Sequence, residues 1–302
     1  RIISSGSIKI RDQWVRKISQ IEGNFSKNSK LLEKDLVNEI KTNGISSLLG
    51  HIRLCGNIPE SYGHDTSVEK QYSKYTDALL SCSFNSIGLK SLVLDERADV
   101  ADVEVYAKEF SFVADAKAFR LSRTAKNQKD FKVQAMDRWK HGNPFAMVVC
   151  PIYQLPSKNS QIYIQAITRN VCIFTYSHLA LLVRYANEIS KESAEKLLHN
   201  IFKTIPLLNP SKNAIDYWLS INNVILSHSK SIFELWQDEK LAAQESIEVS
   251  KVEALRFLSA KREEIMRMSY EEALNELLKS SKIDSKMNTI SKINDNGLLG
   301  LK

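Results

Sequence analysis

The sequence predicts an α/β protein whose mixed sheet is flanked by helices, and three features carry this prediction. In the middle of the chain, strand-like and helix-like segments follow in the order strand, strand, helix, strand, strand, helix. The segments on either side have helical patterns and few breakers. With 302 residues, 43% of them hydrophobic, the chain can bury one large core or two modest ones.

The N-terminal region, residues 1–65, is predicted to be helical. Helical patterns cover Ile8–Ile21 and Leu31–Lys41, and glycines at positions 44, 50 and 56 punctuate them. The stretch Gly56–Gly63, which contains Pro59, is typical of a loop. We therefore expect short helices and then a loop before the core of the protein.

Residues 66–190 are predicted to hold the sheet. A helix is expected over Ser67–Cys82, because Glu69 follows Thr66 at the spacing of a capping box. Two strands should come next, Ala101–Tyr106 and Phe112–Phe119. The later elements of this region are a strand over Phe145–Cys150, a strand over Val171–Tyr176, and a helix through Ala186 capped by Ser177.

A basic helix is expected between the second and third strands. Ser122 or Thr124 can cap it, its apolar positions over Ala125–Lys140 partly follow helical spacing, and Gly142 is placed to end it. Between Lys117 and Lys140 the chain has eight bases against two acids, so most of the net charge of +7 lies in this stretch. Such a concentration favours a polyanionic partner, although a solvated charged helix is the ordinary alternative.

The C-terminal region, residues 191–302, is predicted to be helical. Residues 191–203, 213–227 and 230–279 have few breakers, and Ser269–Glu272 is a helix start signal. The tail from Ser280 is polar enough to be loosely ordered. This region is expected to be a dimer interface or a DNA clamp, with extra bulk as the alternative.

Several classes of protein are disfavoured by composition. The four cysteines make no CxxC pair, so reduced thiols are expected rather than disulfides or zinc. The chain start lacks the apolar core of a signal peptide, and no apolar run reaches the ~18 residues of a membrane span. There is no GxxxxGK loop, so no nucleotide partner is expected. A soluble intracellular protein without a membrane partner is predicted.

The strongest chemical signal is the triplet Asp115-Ala116-Lys117 within the second strand. Strand side chains alternate between faces, so Asp115 and Lys117 are expected to point the same way. Asp102 stands at the head of the strand before it. Two carboxylates and a lysine at one sheet edge suit a divalent metal and a phosphate, and an ordinary strand salt bridge is the alternative. Three other DxK triplets fall in predicted helix or tail, where i and i+2 diverge.

The stretch around this triplet carries a resemblance to a known family. The segment Phe112–Val133, including Arg120-Leu121-Ser122-Arg123-Thr124-Ala125-Lys126-Asn127-Gln128-Lys129-Asp130-Phe131-Lys132, closely resembles the HindIII family of type II restriction endonucleases. The flanks agree at Asp102-Val103, Lys108–Phe110, Ser160–Ile162 and Glu271–Ala273. The similarity is weaker but collinear over most of the chain, and least clear in the first sixty residues and in Lys191–Ser229.

The resemblance implies a mixed-sheet PD-(D/E)xK nuclease core with additional N- and C-terminal helices. It further implies a homodimer in a prokaryotic cytoplasm that cuts double-stranded DNA at a palindrome in a Mg²⁺-dependent reaction, with AAGCTT as the expected target. The chain departs from the nominal signature twice, since Asp102 follows Ala101 rather than a proline and Asp115 replaces a glutamate. Each position keeps its charge, so the implied roles are retained.

The roles implied for individual residues follow from the demands of phosphodiester hydrolysis. Asp102 and Asp115 are expected to hold one or two Mg²⁺ ions, with the Ala116 carbonyl as a further ligand. Lys117 is expected to orient the attacking water. Glu69 is a candidate additional acid, with Asp95 and Glu96 as alternatives.

The basic stretch is expected to contact DNA at base edges, at phosphates, or at both. The expected DNA-binding residues are Arg120, Arg123, Thr124, Ala125, Lys126, Asn127, Lys129, Asp130 and Lys132. Asn127 suits a bidentate contact with adenine, whereas the individual basic residues suit phosphate as well as guanine.

Two other functions stay open beside a restriction endonuclease. A PD-(D/E)xK nuclease of DNA repair or recombination would use the same fold, because fold does not fix biology. A non-catalytic DNA-binding module would use the basic stretch alone, and the presence of Asp102, Asp115 and Lys117 argues against it.

Overall fold

The computed structural model describes residues 1–64, 66–94, 100–122 and 128–292, which form two compact units, 1–254 and 255–302. The α-helices of the described ranges are α1 (Ser5–Ser19), α2 (Phe25–Asn43), α3 (Ile45–Leu54), α4 (Ser67–Ile87), α5 (Val133–Arg138), α6 (Gln161–Arg169), α7 (Tyr176–Glu188), α8 (Lys191–Thr204), α9 (Ala214–His228), α10 (Ile232–Met266), α11 (Tyr270–Ser280) and α12 (Ile283–Ser291). The strands are β1 (Lys90–Val93), β2 (Val103–Tyr106), β3 (Ser111–Ala116), β4 (Phe145–Cys150) and β5 (Val171–Thr175). Short 3₁₀ turns cover Gln128–Phe131, Ile152–Gln154 and Ile205–Leu207.

The sheet is mixed, as the sequence predicts, with the strand order β1-β2-β3-β4-β5. The pairs β1–β2 and β2–β3 are antiparallel, and the pairs β3–β4 and β4–β5 are parallel. β3, β4 and β5 are buried along nearly their whole length, which explains their continuous apolar sequences. Helix α6 lies between β4 and β5 and was not among the predicted elements, although a parallel pair requires a crossover connection.

The edge strand β1 was also not predicted. Its residues alternate between exposed and half-buried, so the strand has no apolar run to mark it. One hydrophobic core in the first unit extends from Trp14 to Trp236 and draws on the N-terminal helices as well as the sheet. Gly50 does not end a helix as expected but lies buried within α3.

Helix α4 begins where the sequence predicts and is followed by the first strand of the sheet. The Thr66 hydroxyl accepts from the Glu69 amide at 3.3 Å, which caps the helix. The helix continues beyond the predicted end at Cys82 to Ile87, and Gly88 follows in the left-handed region at φ 101°. The start of α7 differs from prediction, since the Thr175 side chain, not Ser177, caps it.

The continuous basic helix predicted over Ala125–Lys140 is wrong in its described part. A 3₁₀ turn ends at Phe131, Lys132 has a left-handed φ of 52°, and only α5 is α-helical. Phe131 and Val133 are both buried, and the Phe131 ring lies 5.5 Å from that of Phe119. Residues two apart point to different sides of an α-helix, so a break at Lys132 lets both face the core.

The C-terminal region is divided more often than predicted. The break before Ser269 separates α10 from α11, and Ser269 with Glu272 forms the capping box that the sequence indicates. The tail predicted to be loose contains α12, because Ile283, Met287 and Ile290 recur at helical spacing. Residues 293–302 lie outside the described part of the chain.

The cysteines confirm the expectation of reduced thiols, since Cys55, Cys82, Cys150 and Cys172 are all free. Three of them are buried, where burial raises the pKa of each thiol and makes the reactive thiolate unfavourable. In the described part of the chain, every helix is too short or too polar to cross a membrane.

Candidate active site

The pairing of β2 with β3 brings the two predicted carboxylates together. Val103 lies opposite Ala114 in the antiparallel register, so the preceding residue, Asp102, stands beside Asp115. The Asp102 amide donates to Asp115 Oδ1 at 3.0 Å. A backbone hydrogen bond therefore holds one acid against the other, independently of any side-chain rotamer of Asp102.

Lys117 lies on the same side as Asp115, as the alternation of strand side chains predicts. Its Nζ donates to Asp115 Oδ2 at 2.8 Å, and the Asp115 side chain is 0% exposed. Although Lys117 follows the last residue of β3, its amide donates to Val149 O at 2.8 Å. The Tyr176 hydroxyl donates to its carbonyl at 2.9 Å. Both backbone polar groups of Lys117 are thus bonded, which fixes the origin of its side chain.

Helix α4 adds two charged residues that the sequence did not single out. Lys74 Nζ lies 3.3 Å from Asp102 Oδ1 and 3.6 Å from Asp77 Oδ2. The Asp77 side chain is only 3% exposed. A usable signal was present in the sequence, because Asp77 directly precedes the apolar run Ala78–Leu80 within the predicted helix, and an acid beside such a run is unusual.

The pKa values of Asp77, Asp102 and Asp115 are shifted in different directions. Burial, followed by the neighbouring Asp102 charge, raises the pKa of Asp77 well above its ordinary value. Burial and the charge of Asp115 likewise raise the pKa of Asp102, against the opposing effect of Lys74. Burial also acts to raise the pKa of Asp115, but the charge and hydrogen bond of Lys117 outweigh it and lower this pKa. Separated pKa values among packed acids are typical of functional sites.

The donor set suits a hard divalent cation. Magnesium usually takes one or two carboxylates and keeps several waters, so Asp102 and Asp115 together with the Ala116 carbonyl are sufficient. Asp102, at 33% side-chain exposure, is the carboxylate open to solvent. Within the residues that the structure describes, no group of three or more His, Cys, Asp or Glu side chains is arranged as metal ligands. The fit therefore rests on two carboxylates.

Glu69 lies in a different cluster from the pair. Its Oε1 accepts from Arg120 Nη1 at 2.8 Å, and the same nitrogen donates to His64 Nδ1 at 3.2 Å. Arg120 Nη2 donates to the carbonyls of Tyr62 and Gly63, and the residue is buried. The acid of α4 that lies close to Asp102 and Asp115 is Asp77, two turns further along the helix.

The basic stretch is only partly described. Of the expected DNA-binding residues, Arg123, Thr124, Ala125, Lys126 and Asn127 lie outside the described residues, as do the alternative acids Asp95 and Glu96. Lys129 and Lys132 are exposed, and Asp130 is half-buried. Lys132 Nζ lies 5.3 Å from the centre of the Trp139 ring, within cation–π range.

The chain leading into this stretch is fixed by the loop before α4. Phe119 N donates to Gly56 O at 3.1 Å, and Ile58 N donates to Phe119 O at 3.2 Å. Glu60 accepts from both the amide and the hydroxyl of Ser122, at 3.0 and 2.8 Å. Together with the hydrogen bonds of Arg120, these contacts tie residues 119–122, which follow β3, to the loop before α4.

Two comparisons with known proteins find similar sequences. The family model described as HindIII restriction endonuclease matches residues 11–294 of the chain. The type II restriction enzyme HindIII of Haemophilus influenzae is 31% identical over 297 residues, a region that covers 94% of this chain and 95% of that enzyme. The similarity therefore spans the candidate active site and both flanking helical regions.

Proposed function

This chain belongs to the HindIII restriction endonuclease family and is a DNA hydrolase, and from this premise we propose its substrate, its cofactor and the residues that act. It hydrolyses double-stranded DNA at a palindromic site in a Mg²⁺-dependent reaction that leaves 5′-phosphates. The single observation that carries this proposal is the bonded group in which Asp115 accepts from both the Asp102 amide and Lys117 Nζ.

The proposed fold is the PD-(D/E)xK nuclease core. Support comes from the mixed sheet, with the acids and the lysine at adjoining ends of β2 and β3. Asp102, Asp115 and the Ala116 carbonyl would hold the Mg²⁺ ion. When bound, Mg²⁺ supplies charge neutralisation for the oxygens of the scissile phosphate. Few protein ligands suffice, because Mg²⁺ retains several of its waters.

Lys117 acts on the attacking water. Its ammonium is held by Asp115, whose charge and hydrogen bond outweigh burial and raise the pKa of Lys117. The lysine therefore stays protonated, so it orients a water as a hydrogen-bond donor and stabilises the hydroxide that forms. In this division of roles Asp115 serves twice, as a metal ligand and as the partner that keeps Lys117 charged.

The proposed target is AAGCTT, cut after the first A to leave 5′ overhangs. The support is the resemblance of the segment that contains Arg123, Thr124, Ala125, Lys126, Asn127, Lys129, Asp130 and Lys132 to the family. Arg120 belongs to this group in a different way, because its guanidinium is bonded to Glu69 and to the loop before α4. We assign it the task of holding the segment rather than touching DNA.

A homodimer is proposed, since a palindromic double-strand cut needs two active sites related by a two-fold axis. The unit 255–302 supports this, because its described helices expose many large apolar side chains. They include Leu255, Leu258, Ile265, Met266, Tyr270, Leu277, Met287 and Ile290. The proposed division of labour is an N-terminal helical region (1–65), a nuclease core (66–190) and a dimerising or DNA-clamping region (191–302).

A plasmid-cleavage assay tests the proposal. Purified protein with Mg²⁺ should yield discrete fragments whose sequenced ends map to AAGCTT, and chelation should stop the reaction. The Asp115→Asn variant is the control for a contaminating nuclease. Ends at another fixed motif would refute the target but keep the enzyme class, whereas a smear would favour a repair or recombination nuclease.

A further inference from the structure

The active site contains a second lysine that the proposed reaction does not use. Lys74 projects from α4, an element separate from the strands that carry the catalytic group. Its side chain is 12% exposed, and its Nζ lies 3.3 Å from Asp102 Oδ1. The cation thus rests directly on the carboxylate that is open to solvent and is proposed to hold the metal.

Asp77 gives Lys74 an alternative carboxylate. The two residues are three apart on α4, and Lys74 Nζ lies 3.6 Å from Asp77 Oδ2. This distance is too long for a direct hydrogen bond, whereas the 3.3 Å contact with Asp102 Oδ1 is within range. Lys74 therefore sits between two acids, closer to the one on the strand side.

Lys74 and an incoming divalent ion compete for the same carboxylate. Like charges a few ångströms apart in a partly buried site repel strongly, and the repulsion grows with the charge of the ion. The Asp115 oxygens accept from Lys117 and from the Asp102 amide. Asp77 is a second acid within ion-pair distance of the same ammonium.

We propose that Lys74 and Asp77 set the metal affinity of the active site. Lys74 holds Asp102 when no divalent ion is bound, and Asp77 draws Lys74 away from Asp102 so that an ion can bind. Asp77 is thus a positioning residue that acts through Lys74. This inference rests on the proposed metal site at Asp102 and Asp115.

Binding of Mn²⁺ to the DNA-free protein, measured by isothermal titration calorimetry, tests the proposal without any cleavage. Lys74→Gln should bind Mn²⁺ about tenfold more tightly than the wild type, because the competing cation is gone. Asp77→Asn should bind it about tenfold more weakly, because Lys74 then stays on Asp102. Lys70→Gln is the matched control, since it removes the same charge one turn earlier from an exposed position of α4, and its affinity should stay unchanged.

The double variant separates action through Lys74 from direct metal binding by Asp77. If Asp77 acts through Lys74, its substitution in the Lys74→Gln background should have less than about a third of its single-variant effect on log affinity. Additive effects would overturn the proposal, because they are what a direct ligand or a distant charge would produce. Unchanged affinity in Lys74→Gln would overturn it as well.

Two further measurements keep the result interpretable. Lys74→Met preserves the aliphatic part of the side chain, so the test remains available if the glutamine variant does not fold. Failure of the metal site itself has a separate signature, since the wild type would then bind no Mn²⁺ or bind it equally well after Asp115→Asn. Failure of the Lys74–Asp77 inference would instead leave wild-type binding intact and dependent on Asp115.

Discussion

Two clusters of charged side chains in this protein differ in the direction in which they shift the pKa values of their carboxyl groups. In the N-terminal helices, Glu39 accepts from Trp14 Nε1 at 2.6 Å and from Ser47 at 3.0 Å, and His51 Nε2 lies 2.8 Å from it. Burial acts to raise the pKa of Glu39, but the hydrogen bonds from His51 and Trp14 outweigh it and lower the pKa to about 2. At the sheet edge, Asp77 and Asp102 keep raised pKa values.

The difference lies in the ratio of acids to donors. Glu39 is one acid within hydrogen-bond distance of three partner side chains, which together stabilise its ionised form. At the sheet edge, three acids, Asp77, Asp102 and Asp115, share two lysines. Acids that exceed their cations repel one another and favour a further cation. A structural cluster satisfies its carboxylate, whereas a site that binds a cation leaves an excess of negative charge.

The largest expected effect is on catalysis. Lys117→Ala and Asp115→Asn should each reduce the single-turnover cleavage rate by roughly 10³-fold or more, because the donor to the attacking water or a metal ligand is removed. DNA affinity, measured by fluorescence anisotropy, should change little. Glu39→Gln is the control from the structural cluster, and its folded fraction should cleave normally. Wild-type rates in either catalytic variant would overturn the assignment.

A second prediction concerns acid stability away from the sheet edge. His178 is buried against Phe174, Trp218 and Trp236, and burial lowers its pKa to about 4. The unfolded chain takes up the proton near pH 6.5, so the contribution is complete above pH 6.5 and is lost as pH falls toward 4. About 3 kcal/mol of stability should disappear over this window. Chemical denaturation of wild type and His178→Gln at pH 7 and pH 4.5 measures it, and parallel losses in both would contradict it.

Removing the structural carboxylate should have a moderate effect. Glu39→Gln leaves the donors of Trp14, Ser47 and His51 with a weaker acceptor, so the free energy of unfolding at pH 7 should fall by about 1–3 kcal/mol. Ser47→Ala deletes only one of these hydrogen bonds and should lose about 1 kcal/mol or less. Urea titrations compare the two variants. Equal stability of Glu39→Gln and the wild type would show that these hydrogen bonds do not stabilise the carboxylate as the geometry indicates.

The smallest expected effect is a gain in stability rather than a loss. Asp102→Asn removes one of the three crowded acids, so the metal-free protein should gain about 1 kcal/mol or less at pH 8. Thermal melts in chelator compare it with the wild type. Addition of Mn²⁺ should stabilise the wild type more than the variant, because ligand binding to the native state raises its stability. A lower melting temperature for the variant in chelator would contradict the inferred repulsion among the three acids, and with it the difference between the two clusters.

The local sequence pattern determined much of β3, the strand that carries Asp115, and of its neighbours. The apolar runs predict β3, β4 and β5 at nearly their observed positions, and the two-residue period of a strand places Lys117 beside Asp115. The caps at Thr66 and Ser269 were likewise readable, because each uses contacts within four residues. The resemblance of Phe112–Val133 to the HindIII family also needed only the sequence.

Tertiary structure decided which other charged groups lie close to Asp102 and Asp115. Glu69 and Asp77 are both acids of helix α4. In the folded protein Glu69 contacts Arg120, whereas Asp77 lies close to Lys74 and to the acids of the strands. The break at Lys132 likewise follows from the burial of Phe131 and Val133 against partners distant in sequence. Local spacing shows which residues share a face of an element, but only packing decides what that face touches, because contacts such as that of Glu69 with Arg120 join segments far apart in the chain.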